Sequence, residues 1–572
     1  MKNDNSQLIY SFTRWGSRTF QQGRKISRWF DTVLKSTSAS ELRAFAAHPI
    51  LRFFSDNYIF LLLTISLFFV MASLVDLQAE NLSYGDHASN SMLVLKAKAF
   101  DLLHGNYSRL GFYHPGPFYF YAMALGEIIF FDWLPVSESP EGAHLISIFI
   151  VNISLLACIY SLFRSFGLNG AFASLVSYIG VLISITAAPA LSSLWPPHLY
   201  ILPAYLWIVS LAMFISGRTD VLWASFLAGG ILVHGHASQI GLVPIMFVLA
   251  VGLFFLFSHV GKKCLDSPNI RAMPWRVWVP IVIIFGVFFL PYALNTILNW
   301  PGETPRYFGQ SGANRNGVFE AGRYILQYWE GWNWLLGVQI AIFALFLLRP
   351  RKFGLEACAS RSIVLSVMGL IGAFIVTTSA MLLYAVFGVD DLSADYIGFW
   401  YLGAVAGLLA TGVSVLLVAS AEPIRQLVFV LGTILMVIAW PNRAILNGAW
   451  PMNNDTPKAE RILAAIMESA DGRPINWEID TSDAWPTVWP TVAGLLEYNA
   501  RTSALPVCIN ASSWHLLFHK ENLCTDVEVL SNNTATYVFT TRELANDRYL
   551  PLDTPLRGTM VYYSIDGSTP AW

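Results

Sequence analysis

Charge is scarce in this chain. Of its 572 residues 13% are Asp, Glu, Lys or Arg and 55% are apolar, with a mean hydropathy of +0.51. An ordinary soluble domain carries roughly 25% charged residues. The deficit falls in long uncharged runs, which excludes a simple soluble domain and implies that lipid solvates most of the chain. A basic surplus is lacking too: the formal net charge is −2, which argues against nucleic acid as a partner, because no excess of cations exists to neutralise phosphates. No cleavable signal peptide is visible, since the first apolar run begins at Tyr58, behind a long polar segment. Walker A, dinucleotide-binding and zincin patterns are absent, so soluble nucleotide chemistry is not expected. The five cysteines show no metal-ligand spacing. Cys158, Cys264 and Cys358 fall in or beside apolar runs and read as small hydrophobes. Cys508 and Cys524 lie in the polar C-terminal region and are a disulfide candidate if that region is outside the cytoplasm.

What the chain does have is apolar windows of membrane length. They cover 57–77, 144–163, 170–190, 198–216, 221–234, 238–258, 279–299, 333–348, 362–388, 397–419 and 424–440. A further stretch, 117–134, is short and contains Glu127 and Asp132. With that stretch excluded as a full crossing, the basic clusters at Arg164, Arg218, Lys262 to Arg276, Arg349 to Arg361 and Arg425 all fall on the side of the Arg/Lys-rich N-terminus. The expectation is therefore a polytopic α-helical membrane protein of about eleven transmembrane helices, N-terminus cytoplasmic, with 117–134 a juxtamembrane or re-entrant helix on the outer face. Three regions follow. Residues 1–55 form a basic segment whose Ile26, Trp29, Phe30, Val33 and Leu34 suit either an interfacial helix or a mobile tail. Residues 56–440 form the transmembrane domain, including a first outer loop at 78–143. Residues 441–572 form an extracytoplasmic α/β domain with helices at 457–470, after Pro490 and at 512–520, and strands at 474–479, 505–509, 536–541 and 560–564.

This topology gathers the unusual polar residues on the outer side. Asp86, on a glycine turn just beyond the first span, is either a general base for an acceptor hydroxyl or a helix N-cap. Arg109 and His114 precede a Pro-Gly-Pro turn; they suit a lipid phosphate, or else headgroup snorkelling and turn bonding. Arg306, Arg315 and Arg323 run against the positive-inside bias and invite phosphate capture or a solvated loop. Trp195, His198 and the His234-Gly-His236 pair sit at outer span ends, and the two histidines of that pair cannot share a helix face as metal ligands. Asp390, Asp391 and Asp395 suit a cation or a solvated loop, and Trp485 and Trp489 suit sugar stacking or a core.

Taken in order, the first span, then Gly85-Asp86-His87-Ala88, a helix, and Tyr113-His114-Pro115-Gly116-Pro117 resemble the GT-C superfamily of integral-membrane glycosyltransferases. Leu194-Trp195-Pro196-Pro197-His198-Leu199 looks like the Trp-Asn-Pro segment of bacterial members, and the run from Asp483-Ala484-Trp485-Pro486 through Cys508 resembles the outer domain of bacterial relatives. The resemblance implies a bacterial inner-membrane enzyme that takes a sugar from a polyprenyl phosphate and gives it to a glycan, lipid or protein hydroxyl, with inversion. It implies that Asp86 activates the acceptor and that His114, Arg109 and an arginine among 306, 315 and 323 meet the donor phosphate. His87, Tyr113, Trp195, His198, His236 and Asp391 become candidates for the substrate cavity. Many relatives carry a second acid directly after the aspartate, and His87 stands there instead, which disfavours a metal bridged by paired acids; the expectation is a metal-independent reaction, with a divalent metal as the alternative. Two other classes stay open: a transporter or flippase of lipid-linked sugars, which would bury ionisable residues mid-span, and a non-catalytic glycan-binding envelope protein.

Overall fold

The computed structural model describes residues 56–66, 81–185, 191, 193–261, 275–309, 315–348, 357–420, 425–434, 455–502, 505–510, 515–525, 534–544, 547–553, 555–567 and 570. The interfacial helix expected within 1–55, the basic segments 262–274 and 349–356 and the domain boundary at 441 lie outside the described residues. Helix α1 (Asp56–Ser66) belongs, up to Ile65 and with Asn169–Ala171, to a small unit of its own; the remainder forms the second unit.

A helix occupies each of the eleven expected windows. After α2 (Gly85–Lys98) and α3 (Phe118–Glu127) come α4 (Pro140–Ser165), α5 (Gly170–Ile185), α6 (Ile201–Ile215), α7 (Leu222–Gly235), α8 (Gln239–Gly261) and α9 (Trp275–Leu298). Then follow α10 (Thr304–Gly309), α11 (Val318–Gln327), α12 (Asn333–Leu348), α13 (Ala357–Phe387), α14 (Trp400–Ala419) and α15 (Arg425–Ile434). Among the described residues six of these helices are long and apolar enough to cross a membrane unaided, and α1, α5, α7 and α15 are shorter apolar helices. Every residue of α6 is buried, so it is the centre of the bundle. Its closest partner, α14, approaches on Gly403 and Gly407, one turn apart. A Cβ at Gly403 would lie 1.9 Å from the Ile201 carbonyl, and one at Gly407 2.9 Å from the Cβ of Ile208. Small residues at this spacing let backbones pack where no hydrophobic force distinguishes helix from lipid. The stretch 117–134 forms a single helical piece, α3 followed by a π-type turn, Ile128–Trp133.

The C-terminal domain holds a five-stranded sheet. The first loop contributes a separate small hairpin, β1 (Tyr107–Ser108) with β2 (Phe112–Tyr113). The main sheet runs β4-β3-β5-β7-β6, from β3 (Ile475–Ile479), β4 (Val507–Asn510), β5 (Ala535–Thr540), β6 (Tyr549–Pro551) and β7 (Met560–Ser564). β3 pairs in parallel with β4 and β5; β7 pairs antiparallel with β5 and β6. Helices α16 (Thr456–Ala470) and α17 (Trp485–Thr502) pack on it through Ile462, Ile466, Val488, Val492 and Leu496, against Trp477, Tyr537 and Phe539. Two local expectations need correcting. α17 starts ahead of Pro490 and carries it inside, because the buried stripe Val488, Val492 and Leu495 begins earlier. No third helix spans 512–520 among the described residues: two short 3₁₀ turns stand there, parted by His519 at φ 65°. β6, short and ending in Pro551, carries too little pattern to be read in advance.

This domain is stitched to the first loop. Leu82, Ala88 and Met92 join its apolar core. The Ser89 hydroxyl donates to the Leu517 carbonyl at 2.5 Å, and His519 Nε2 donates to the Ser89 carbonyl at 3.0 Å. A Cβ at Gly494 would stand 2.2 Å from the Ser83 carbonyl, which is how closely α17 approaches the start of α2.

One carboxyl of the sheet supplies a pH test. Burial pushes Glu478 up from its ordinary 4.5 to about 7, against a hydrogen bond from Asn510 at 2.8 Å. A raised carboxyl favours folding below its unfolded value and loses that contribution as pH rises through the folded one. Glu478→Gln is therefore expected to raise the melting temperature of the detergent-solubilised chain above pH 7 and to leave it unchanged near pH 4. Equal shifts at both pH values would refute the assignment.

Candidate active site

α2 carries the first candidate, Asp86. Tyr84 is extended and caps the helix by position; Gly85 follows at φ 55°, a conformation that disfavours a side chain. A Cβ there would also meet the Trp489 ring at 3.1 Å. Asp86 is then the second helical residue, and no side chain caps the helix. The N-cap reading of Asp86 is thus set aside: its carboxylate faces sideways. Tyr107 Oη, on β1, donates to Oδ1, and Trp195 Nε1 donates to Oδ2 at 2.7 Å. Burial and the Asp86 charge push the Tyr107 phenol well above its usual range, so it stays a donor. A carboxylate offers about four acceptor positions. Two neutral donors fix its plane and leave the other positions open.

Asp86 opens on a cavity of about 780 Å³. Arg109, His114, Trp195, His236 and Asp390 line it as well. Among the described lining residues Arg109 is the one Lys or Arg. It is gripped by Asp390 at 2.7 and 2.8 Å, a pairing that outweighs partial burial and holds the guanidinium charged. The two histidines share a design. The Ala237 N–H donates to His114 Nδ1 at 3.1 Å, and the Ser238 N–H donates to His236 Nδ1 at 3.2 Å. Burial holds both imidazoles below their usual range, His236 at about 4. Each ring is therefore neutral with its proton on Nε2. The rings lie 4.6 Å apart, so the cavity presents two uncharged N–H donors beside one arginine. Gly116, in the Pro-Gly-Pro turn, keeps this wall closed: a Cβ there would come within 2.2 Å of the His234 ring.

The other expected residues stand elsewhere. Arg306 is solvent-exposed, bonded to the Gly111 carbonyl at 3.0 Å and to Glu303 at 3.3 Å. Arg315 sits 5.8 Å from the Phe387 ring, and Arg323 is exposed on α11. From that loop the cavity is lined by Tyr307, whose hydroxyl donates to the Tyr113 carbonyl at 2.6 Å. His87 is half-buried and does not line the cavity; its desolvation, with His198 nearby, lowers it to about 4. Tyr113 stacks on His104 at 3.9 Å, and His198 hydrogen-bonds Ser193 Oγ at 2.7 Å; neither lines the cavity. Asp391 is exposed and turns back on Ser393, while its neighbour Asp390 takes the site position. His234 is spent on the Phe288 carbonyl at 2.5 Å. Cys508 and Cys524 are joined across β4 and the following turn, with Cα atoms 4.7 Å apart.

Sequence reasoning missed Asn90, Tyr107, Tyr307 and the place of Trp489 in the lining. Asn90 had a signal: it lies four residues after Asp86 and so on the same helix face. Tyr107 had none, since only the hairpin brings it back to α2. Among the described residues no group of three or more His, Cys, Asp or Glu is placed to hold a metal ion.

No protein-family model matches the sequence, and no curated protein matches it either. In fold the chain is similar to ArnT from Cupriavidus metallidurans, whose crystal structure was solved bound to undecaprenyl phosphate. The TM-score is 0.52 and the identity 13%, over 90% of this chain and 99% of that one. At such identity the likeness is one of architecture: a multi-pass helical membrane protein with a C-terminal sheet domain.

Proposed function

We propose, from the GT-C fold that this chain shares with ArnT, that it is a membrane glycosyltransferase that moves a sugar from a polyprenyl phosphate to a hydroxyl acceptor on the outer face of the membrane. The observation that carries the reading is Asp86, oriented by Tyr107 and Trp195 at the edge of a cavity that also holds Arg109 and two imidazole N–H donors. Leu242, Ile245, Leu383 and Phe387, from α8 and α13, supply an apolar lining. Ile245, Leu383 and Phe387 are about half exposed, which suits a lipid chain entering from the side.

In the proposed step the acceptor oxygen attacks the anomeric carbon and its proton passes to Asp86. The bond from that carbon to the phosphate oxygen breaks, and its electron pair leaves on the polyprenyl phosphate. Arg109, His114 and His236 stabilise the departing charge. Asp86 returns the proton to water, and the new bond has inverted configuration. Arg109 gives up part of its hold on Asp390 when the phosphate arrives. We read the reaction as metal-independent, since both Asp86 oxygens already accept from neutral donors and Asp390 is engaged by Arg109. The bacterial inner membrane, with the C-terminal domain outside, suits this reading.

The test is made in cells whose own copy is replaced by Asp86→Ala. Surface glycans are expected to lose one sugar while the polyprenyl-phosphate-linked form of that sugar accumulates, both read by mass spectrometry. Unchanged glycans at normal expression overturn the proposal.

A further inference from the structure

The cavity lining is of two kinds. The residues from α8 and α13 are mostly apolar, whereas Asn90 and Trp489 stand beside Asp86. Asn90 is one turn beyond Asp86 on α2 and shares its face. The residue is only 6% exposed, and its Oδ1 has no hydrogen-bond partner. Leaving a buried amide oxygen unmatched is costly, and such groups mark places where a ligand completes the bonding. Trp489 arrives from the C-terminal domain and lies against Gly85, the residue before Asp86. It is half-buried, with a second indole, Trp485, 6.4 Å away. Arg109, held by Asp390, is the one lysine or arginine among the described lining residues.

We infer that Asn90 and Trp489 form the acceptor subsite and that the acceptor is a saccharide. This rests on the transferase reading and names its substrate class. The amide of Asn90 offers a donor and an acceptor together, which suits the adjacent hydroxyls of a sugar ring. The indole offers an apolar face to the ring's C–H groups, and both flank the carboxylate that removes the proton. With that one cation assigned to the donor phosphate, none is left among the described lining residues for a phosphate acceptor. The sugar hydroxyl beside Asp86 forms the bond to the anomeric carbon, its proton goes to Asp86, and the electron pair of the broken bond leaves on the lipid phosphate. The C-terminal domain is thereby part of the active site rather than an appendage.

The experiment uses the full chain and two readouts. Linkage analysis of the Asp86-dependent surface product should find the new sugar attached to another sugar. Asn90→Ala and Trp489→Ala should each lower that product about tenfold, the equivalent of one good contact, and Trp489→Phe should keep most of it. Binding of undecaprenyl phosphate by the purified variants should stay within about twofold of wild type, because Arg109, His114 and His236 are untouched. A product linked directly to Ser or Thr, or to a lipid phosphate, overturns the inference, as does full transfer by Trp489→Ala. Loss of undecaprenyl phosphate binding in these variants would place the subsite on the donor side and equally overturn it. If instead Asp86→Ala leaves glycans intact, it is the transferase reading that fails.

Discussion

Replacing Arg501 by Met is expected to destabilise the protein by about 3 kcal/mol, the usual cost of stripping one partner from a buried ion pair. Arg501 leaves α17 and enters a closed set of charges on the first loop. It bonds Glu127 at 3.0 and 3.2 Å, Ser91 Oγ at 2.8 Å, and Glu497. Glu127 also receives Lys98 at 2.8 Å and His144 at 2.7 Å, and its side chain is 1% exposed. Burial would raise Glu127, but the His144 hydrogen bond and the Arg501 charge prevail and hold it well below the usual range. A depressed carboxyl contributes stability above its unfolded pKa and loses it as pH falls through the folded value, so this cluster stays intact at any neutral pH. Without Arg501, Glu127 keeps two partners, whereas Glu497 keeps the Ser91 hydroxyl at 2.8 Å. The penalty should therefore centre on Glu497. The double variant Glu497→Gln with Arg501→Met should melt above Arg501→Met alone. A double variant that melts lower still would show that the cluster's contribution lies elsewhere.

That cluster also shows what the sequence conveyed and what it did not. Eleven apolar windows were legible because lipid imposes one pattern on every span, and the basic loops between them suggested a topology. Asp86 and the Pro-Gly-Pro turn were legible because they sit on glycine and proline signals that stand out locally. Arg501 was invisible: an arginine near the end of an amphipathic helix reads as solvated, and only the docking of α17 on α2 converts it into a bond to Glu127, 374 residues away in the chain. The loop arginines erred the other way. Their charge is unusual for the expected outer side, yet Arg306 is satisfied by Glu303 and a backbone carbonyl, and the loop presents Tyr307 to the cavity instead. Asp390 and Asp391 are indistinguishable in sequence until the backbone turns the first of them toward Arg109.

Asp86→Asn is expected to lower the rate of transfer about a thousandfold, within the range that a positioned general base supplies. The substitution keeps the shape of the side chain and removes the charge that accepts the proton in the proposed step. It also turns one acceptor into an N–H donor, and both neighbours, the Tyr107 hydroxyl and Trp195 Nε1, already donate to this group. One of those contacts must break, so the amide cannot be held as the carboxylate is. Undecaprenyl phosphate binding should be nearly unchanged, because Arg109, His114 and His236 are untouched; the loss then appears in kcat rather than in donor affinity. Tyr107→Phe leaves the base and removes one of its two orienting donors, for an expected loss of about tenfold, one hydrogen bond's worth of positioning. Trp195→Phe should do the same at the other oxygen, and the paired change should cost more than either, since nothing would then fix the carboxylate plane. If Asp86→Asn retains a tenth or more of wild-type transfer while Tyr107→Phe loses as much, the proton leaves by another route and the tyrosine, not the carboxylate, is the group to pursue.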